Sequence, residues 1–148
     1  MIICDTREQK WSHIEDWFKV NDIPYRIQKL DFGDYMNEYV PGLAIDRKAS
    51  LDELAMNLCS SDSSRFWREI RGAKRAGIHM IVLIEDRRYH CPSDVINWRS
   101  KWSNVTGAKL FEAMFAISNA YGVEFQFCKR SQVGQRIVEI LRTKMKGR

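Results

Sequence analysis

Apolar residues recur along this chain with two spacings, and the alternation between them outlines the fold. The first run, Ile2-Ile3-Cys4, ends at Asp5 and predicts a short buried strand over residues 1–5. Trp11, Ile14, Trp17 and Phe18 return at helical spacing and predict a helix over 10–20. Residues 25–32, YRIQKLDF, read as a strand, and residues 34–40 and 43–48 as two more, with Pro41-Gly42 as the turn between them. Such a hairpin sets Asp34 opposite Asp46 to within a residue or two of register. Ser50 and Glu53 have capping-box spacing, and Leu51, Leu54, Ala55 and Leu58 form the apolar stripe of the helix they start. A second helix is predicted over 64–76, stopped by Gly77. The run HMIVLIED then has the unbroken apolar character of a central strand buried on both faces. A helix over 106–121 ended by Gly122, a strand over 123–127 and a last helix over 131–146 complete the pattern. Strand–helix alternation after a leading hairpin makes this an α/β protein, a mixed sheet flanked by helices. Residues 86–105 have no clear period and are rich in Arg and Trp.

The length, 148 residues, suits one domain over 1–148. Basic residues outnumber acidic ones 24 to 19, a net charge of +5 that points toward a polyanionic partner. The four cysteines form no C-x-x-C pair and the three histidines have no zinc-like spacing, so free thiols in a reducing cytosol are expected. No apolar run is long enough to span a membrane, and no signal-peptide pattern opens the chain, so no membrane partner is expected.

The segment AIDRKASLDEL, residues 44–54, sets Asp46, Arg47 and Lys48 at the end of a buried strand, with Asp52 in the first turn of the next helix. Residues two apart on a strand share a face, so Asp46 and Lys48 project together and Arg47 points the other way. Asp34 joins them from the neighbouring strand, and two carboxylates and one ammonium converge at one sheet edge. Two close carboxylates resist joint ionisation, a conflict that a divalent cation removes. Mg²⁺ or Mn²⁺ suits hard oxygen ligands, taking one or two carboxylates with water and phosphate oxygens. Lys48 is placed to hold an attacking water or to offset charge on phosphate oxygens. A D-x-K alone is weak evidence, and a solvated strand end with a surface ion pair fits it better.

Three motifs in order are more specific. DTREQ at 5–9, FGDY at 32–35 and DRKASLD at 46–52 together resemble the nuclease domain of the XPF/Hef family of structure-specific endonucleases, within the PD-(D/E)xK superfamily. The resemblance continues to RFWREI and VLIED and covers roughly residues 2–86. It implies a restriction-endonuclease-like fold, metal ligation by Asp34 and Asp46, Lys48 as catalytic lysine and Arg47 as a charged organiser. It further implies that Asp52 supports the site and that Asp5, Arg7 and Glu8 line the same cleft, with Asp5 or Glu8 touching any second metal. Tyr35 is read as packing. The family has Glu where this chain has Asp46, which shortens the reach of that carboxylate by about 1.5 Å, one C–C bond.

Arg65, Arg68, Arg71 and Arg75 fall on one helical stripe, which serves equally as a solvated face or as a contact for a DNA backbone. Arg87, Arg88, Arg99 and Lys101, interleaved with Trp98 and Trp102, form a second basic cluster for DNA, unpaired bases or a second subunit. The tail RTKMKGR reads as solvated, His13 as a surface residue and His79 as structural. The favoured activity is Mg²⁺-dependent cleavage of DNA, branched at a flap, fork or junction, in repair, recombination or replication. The chain carries neither the helicase region nor the tandem helix-hairpin-helix module of many relatives. Substrate choice is then expected from a homodimer, a partner protein or residues 86–148, and the setting from a prokaryotic or phage-infected cytoplasm. The alternatives are a catalytically silent DNA-binding scaffold and a restriction or RNA-processing nuclease.

Overall fold

A computed structural model describes residues 1–61 and 63–146. Six strands form one sheet: β1 (Ile2–Cys4), β2 (Tyr25–Ile27), β3 (Tyr35–Asn37), β4 (Val40–Lys48), β5 (His79–Glu85) and β6 (Glu124–Cys128), in the order β2-β1-β3-β4-β5-β6. β1 runs parallel to β2 and antiparallel to β3, β3 antiparallel to β4, and β4, β5 and β6 are mutually parallel neighbours. The sheet is therefore mixed, as the alternation of elements predicts, and its long central strands are buried on both faces.

Helices cover each face. Helices α1 (Ser12–Val20) and α5 (Val133–Lys146) pack on one side, against Ile2, Tyr35, Ile45, Ile81 and Leu83. Helices α2 (Leu51–Cys59), α3 (Ser63–Arg75) and α4 (Gly107–Tyr121) pack on the other, against Ala44, Val82, Ile84 and Phe127. The ends of these helices follow the capping residues in the sequence. Ser50 Oγ accepts from Glu53 N–H at 3.1 Å, and Thr106 Oγ1 accepts from Lys109 N–H at 3.2 Å. Gly122 closes α4 in the left-handed region at φ 70°.

Two strands differ from the sequence reading. The strand expected over 25–32 stops at Ile27, because the Leu30 backbone is captured: its N–H donates to Asp5 at 2.8 Å and its carbonyl accepts from Arg7 at 2.7 Å. The hairpin turn lies at Glu38-Tyr39, not Pro41-Gly42. Asn37 Oδ1 accepts from Tyr39 N–H at 3.0 Å, an Asx turn that reverses the chain three residues early. Pro41 and Gly42 then sit inside β4, where the β3 pairing jumps from Asn37↔Val40 to Met36↔Ala44. Proline cannot donate to a ladder and is tolerated at such an irregularity. Beyond it the register is Tyr35↔Ile45, which sets Asp34 level with Asp46.

Residues 86–105 contain one short 3₁₀ turn, Pro92–Asn97, and an isolated bridge between Arg99 and Thr106. This segment is locked where α4 begins. A Cβ on Gly107 would lie 2.1 Å from the Val95 carbonyl oxygen and 2.5 Å from those of Ile96 and Trp98. Gly107→Ala is expected to cost about 1–3 kcal/mol as an overpacked site, read as a thermal midpoint several degrees lower at roughly 2–4 °C per kcal/mol. Of the tail expected to be solvated, Arg142 is exposed, and the side chains of 143–148 lie outside the described residues.

Candidate active site

The fold brings Asp34, Asp46 and Lys48 together, at the C-terminal end of β4. That place is mid-sheet, not an edge: β3 and β4 have neighbours on both sides. The strand alternation separates the three charges of the junction as expected. Ala44, Asp46 and Lys48 face the α2–α3 side, while Leu43, Ile45 and Arg47 face α1 and α5. Lys48 Nζ lies 3.0 Å from Asp46 Oδ2 and 4.8 Å from the centroid of the Phe66 ring. Asp34 is fixed from its own backbone outward. Its N–H donates to the Ile45 carbonyl at 2.7 Å, and its Oδ2 accepts from Arg47 N–H at 2.8 Å.

The electrostatics are those of a crowded acid pair. Burial, then the charge of Asp46, then that of Glu8 hold the Asp34 carboxyl well above the usual carboxylate range. Asp46 is 7% exposed, and its Oδ2 is ion-paired with the Lys48 ammonium. Burial alone would lower the Lys48 pKa, but Asp46 outweighs it and the pKa is raised, so the ammonium stays charged at neutral pH. Two further acids face the same ammonium. Glu53, from α2, and Glu69, from α3, are both pushed upward, mainly by burial. Glu69 Oε1 accepts from Gly33 N–H at 3.4 Å. A cavity of about 350 Å³ between α2 and α3 opens on Lys48, Glu69 and Arg65.

This donor set fits a divalent cation. It offers two close carboxylates, one pushed toward protonation by burial and by the charge of the other, which is itself buried. Among the described residues no three His, Cys, Asp or Glu side chains gather as a metal cage. Two carboxylates with open positions suit Mg²⁺ or Mn²⁺, which keep several waters.

The remaining expected residues form a second network beneath β4. Arg47 is 6% exposed, and its guanidinium donates to Glu8 Oε2 at 2.8 Å, Glu85 Oε1 at 2.6 Å and the Gln9 carbonyl at 2.8 Å. Glu85 also accepts from His13 Nε2 at 2.9 Å and lies 3.6 Å from Arg130. His13 is thus part of the network, not a surface residue: α1 starts beside the end of β5 and turns the imidazole inward. Tyr35 is fully buried, as expected of packing. His79 pairs with Glu124 at 2.7 Å, a surface tie between β5 and β6.

Asp5 and Arg7 pair with each other and brace the loop next to Asp34: the Asp5 N–H donates to the Asp34 carbonyl at 2.8 Å, and Asp5, then the charges of Glu69 and Asp34, raise the Arg7 pKa. Asp5 accepts from Arg7 Nε at 2.9 Å and from Leu30 N–H. Burial raises its pKa, yet the hydrogen bonds from Arg7 and Leu30 more than offset that, and the carboxyl rests below its ordinary range. A depressed folded pKa means that the unfolded chain binds the proton more readily. The contribution is therefore complete above the ordinary Asp value near 3.9 and is lost as pH falls through the lowered one. Asp5→Asn is expected to flatten the acid limb of the stability curve, read as urea midpoints between pH 2 and 5.

Asp52 does not reach the acid pair through any hydrogen bond. Its Oδ1 accepts from Ser100 Oγ at 2.5 Å and so ties the loop after Trp98 to the first turn of α2. Arg65, Arg68, Arg71 and Arg75 are all exposed along α3, opposite buried Phe66, Ile70 and Ala73. Of the second basic cluster, Trp98 is buried and Trp102 is exposed.

Glu69, Glu85 and His13 escape the sequence reading. Glu69 interrupts an otherwise basic helix, and Glu85 is the first charge after the apolar run of β5; both are visible in the sequence as isolated acids. Nothing in the sequence marks His13.

The fold has known counterparts. It is similar to XPF from Aeropyrum pernix, with a TM-score of 0.73 at 16% identity, over 97% of this chain and 64% of that one. It is also similar to XPF from Aeropyrum pernix in complex with DNA, with a TM-score of 0.68 at 18% identity, over 99% of this chain and 66% of that one. The chain thus spans about two thirds of the length of these proteins, and at such identities the likeness is one of fold, the restriction-endonuclease-like fold. No curated protein gives a significant match. Among the described residues no helix is long and apolar enough to cross a membrane. The ERCC4 domain model matches residues 4–140, a span that takes in the Asp5 loop, the hairpin with Asp34, the charged junction and most of α5, and the chain belongs to that family.

Proposed function

We propose that this chain is a Mg²⁺-dependent DNA endonuclease, with Mn²⁺ able to substitute, that acts on branched DNA. The carrying observation is the close pair of carboxylates at the end of β4: burial and the charge of Asp46 hold the Asp34 carboxyl well above its usual range, and the Lys48 ammonium lies 3.0 Å from Asp46. Membership of the ERCC4 domain family and the likeness of fold to XPF support the reading.

Asp34 and Asp46 would hold the metal, which supplies Lewis-acid activation of the phosphate and a lowered pKa for water. Lys48, charged at neutral pH, acts as an electrostatic group rather than a base: it positions the attacking water and offsets charge on the phosphate oxygens. Arg47 does not touch substrate. Clamped by Glu8 and Glu85, it donates its backbone N–H to Asp34 and so orients that carboxylate. The exposed arginines of α3, with Arg65 at the mouth of the Lys48 cavity, contact the DNA backbone. Assembly as a homodimer or with a partner protein, in the cytoplasm of a prokaryotic or phage-infected cell, belongs to the same reading.

The test is a panel of labelled duplex, fork, four-way junction and RNA substrates in Mg²⁺, Mn²⁺ or EDTA. Cutting of fork or junction in either metal, and none in EDTA, is expected. Binding without cutting in both metals would make the chain a scaffold, and faster cutting of RNA or plain duplex would assign it to another nuclease class.

A further inference from the structure

Trp102 is 84% exposed, although it stands in a loop that the structure holds firmly. Ser100 is the hub of that loop. Its Oγ donates to Asp52 at 2.5 Å and accepts from the N–H groups of Trp102 and Ser103, each at 3.1 Å. Ser100 N–H donates to the Val105 carbonyl at 3.2 Å, and the Arg99–Thr106 bridge closes the loop's base. An indole presented to solvent on a fastened loop is a different object from Trp98, four residues earlier, which is buried in the core.

The charge around Trp102 favours one kind of partner. Arg99 and Lys101 flank it and are exposed. Ser50, at the N-terminus of the helix that carries Asp52, lines a cleft of about 680 Å³ in which Arg87, Arg88, Lys129 and Arg130 outnumber Glu85 and Asp86. Asp52 lies near enough to Arg88 to contribute to that side chain's raised pKa. An exposed aromatic among exposed basic side chains is the combination that binds single strands, with bases stacking on the ring and phosphates tracking the positive charges. Duplex DNA offers no free base faces to stack, so the platform selects unpaired bases.

We propose that Trp102 is a stacking platform for an unpaired base of the DNA substrate, its loop held against the first turn of α2 by the Asp52–Ser100 contact. The reading deepens the nuclease proposal and rests on it for the identity of the strand as DNA. It also gives Asp52 a role, that of a positioning residue acting through the loop.

The test measures binding alone, by fluorescence anisotropy in EDTA, with oligo(dT) and a blunt hairpin duplex as probes. Trp102→Ala is expected to weaken oligo(dT) binding on the order of tenfold and duplex binding by less than about twofold, while Trp102→Phe keeps most of the affinity. Asp52→Ala is expected to lose part of the oligo(dT) affinity with the same selectivity, which a general structural loss would not produce. Equal weakening of both probes, or none, in Trp102→Ala overturns the proposal. Because no cleavage is read, a selective loss stands even if the substrate panel shows no cutting, and cutting by a protein without that loss leaves only the nuclease reading.

Discussion

Asp46→Asn and Lys48→Ala are each expected to slow DNA cleavage by a factor of about 10²–10³ or more while binding is retained. Asparagine keeps the shape of Asp46 but removes the charge that a divalent cation needs, and it leaves Lys48 without its ion-pair partner. Alanine at position 48 removes the one ammonium that faces Asp46, Glu53 and Glu69. Binding survives because the basic side chains assigned to DNA, those of α3 and the cleft beyond β5, lie outside the pair. Single-turnover cleavage beside anisotropy on the same fork separates the two quantities. A variant that cuts at the wild-type rate would remove Asp46 or Lys48 from the chemistry.

Arg47→Ala is expected to act on the fold first. Arg47 is the shared cation between two buried acids, Glu8 and Glu85, each 8% exposed or less. Deleting it takes from Glu8 its ion-pair partner and leaves Glu85 only His13 and the exposed Arg130, a loss of about 3–5 kcal/mol for a broken buried pair. For a chain of this size that is roughly 10 °C in the thermal midpoint. Arg47→Lys recovers only part, because an ammonium cannot span Glu8, Glu85 and the Gln9 carbonyl with one planar fork. Differential scanning calorimetry reads the order wild type, Lys, Ala, and a midpoint unchanged in the alanine variant would show that the network carries no stability.

How far the sequence spoke depends on the range of the interaction. Local signals were sufficient for α2, where Ser50 caps and Leu51, Leu54 and Leu58 face inward, and for β5, whose apolar run has no other home than a central strand. The period of two put Asp46 and Lys48 on one face and Arg47 on the other before any coordinates. The turn was misplaced because Pro-Gly is the stronger local signal, while the Asx contact from Asn37 depends on pairing that β1 supplies to β3. The acids that surround Lys48 and Arg47 from α3 and β5 were hidden for the same reason. Glu69 and Glu85 follow β4 by 21 and 37 residues beyond Lys48, and only the packing of α3 and the parallel pairing of β5 bring them in. Asp52 shows a further limit: its position in the motif was legible, its partner Ser100 was not.

The central claim is that Asp34 and Asp46 share a divalent cation beside Lys48. Crystals soaked in Mn²⁺ and measured at the manganese edge test it directly. An anomalous peak joining both carboxylates, absent from Asp46→Asn crystals, is the result expected; a peak elsewhere, or none at a manganese concentration that supports cutting, would contradict it.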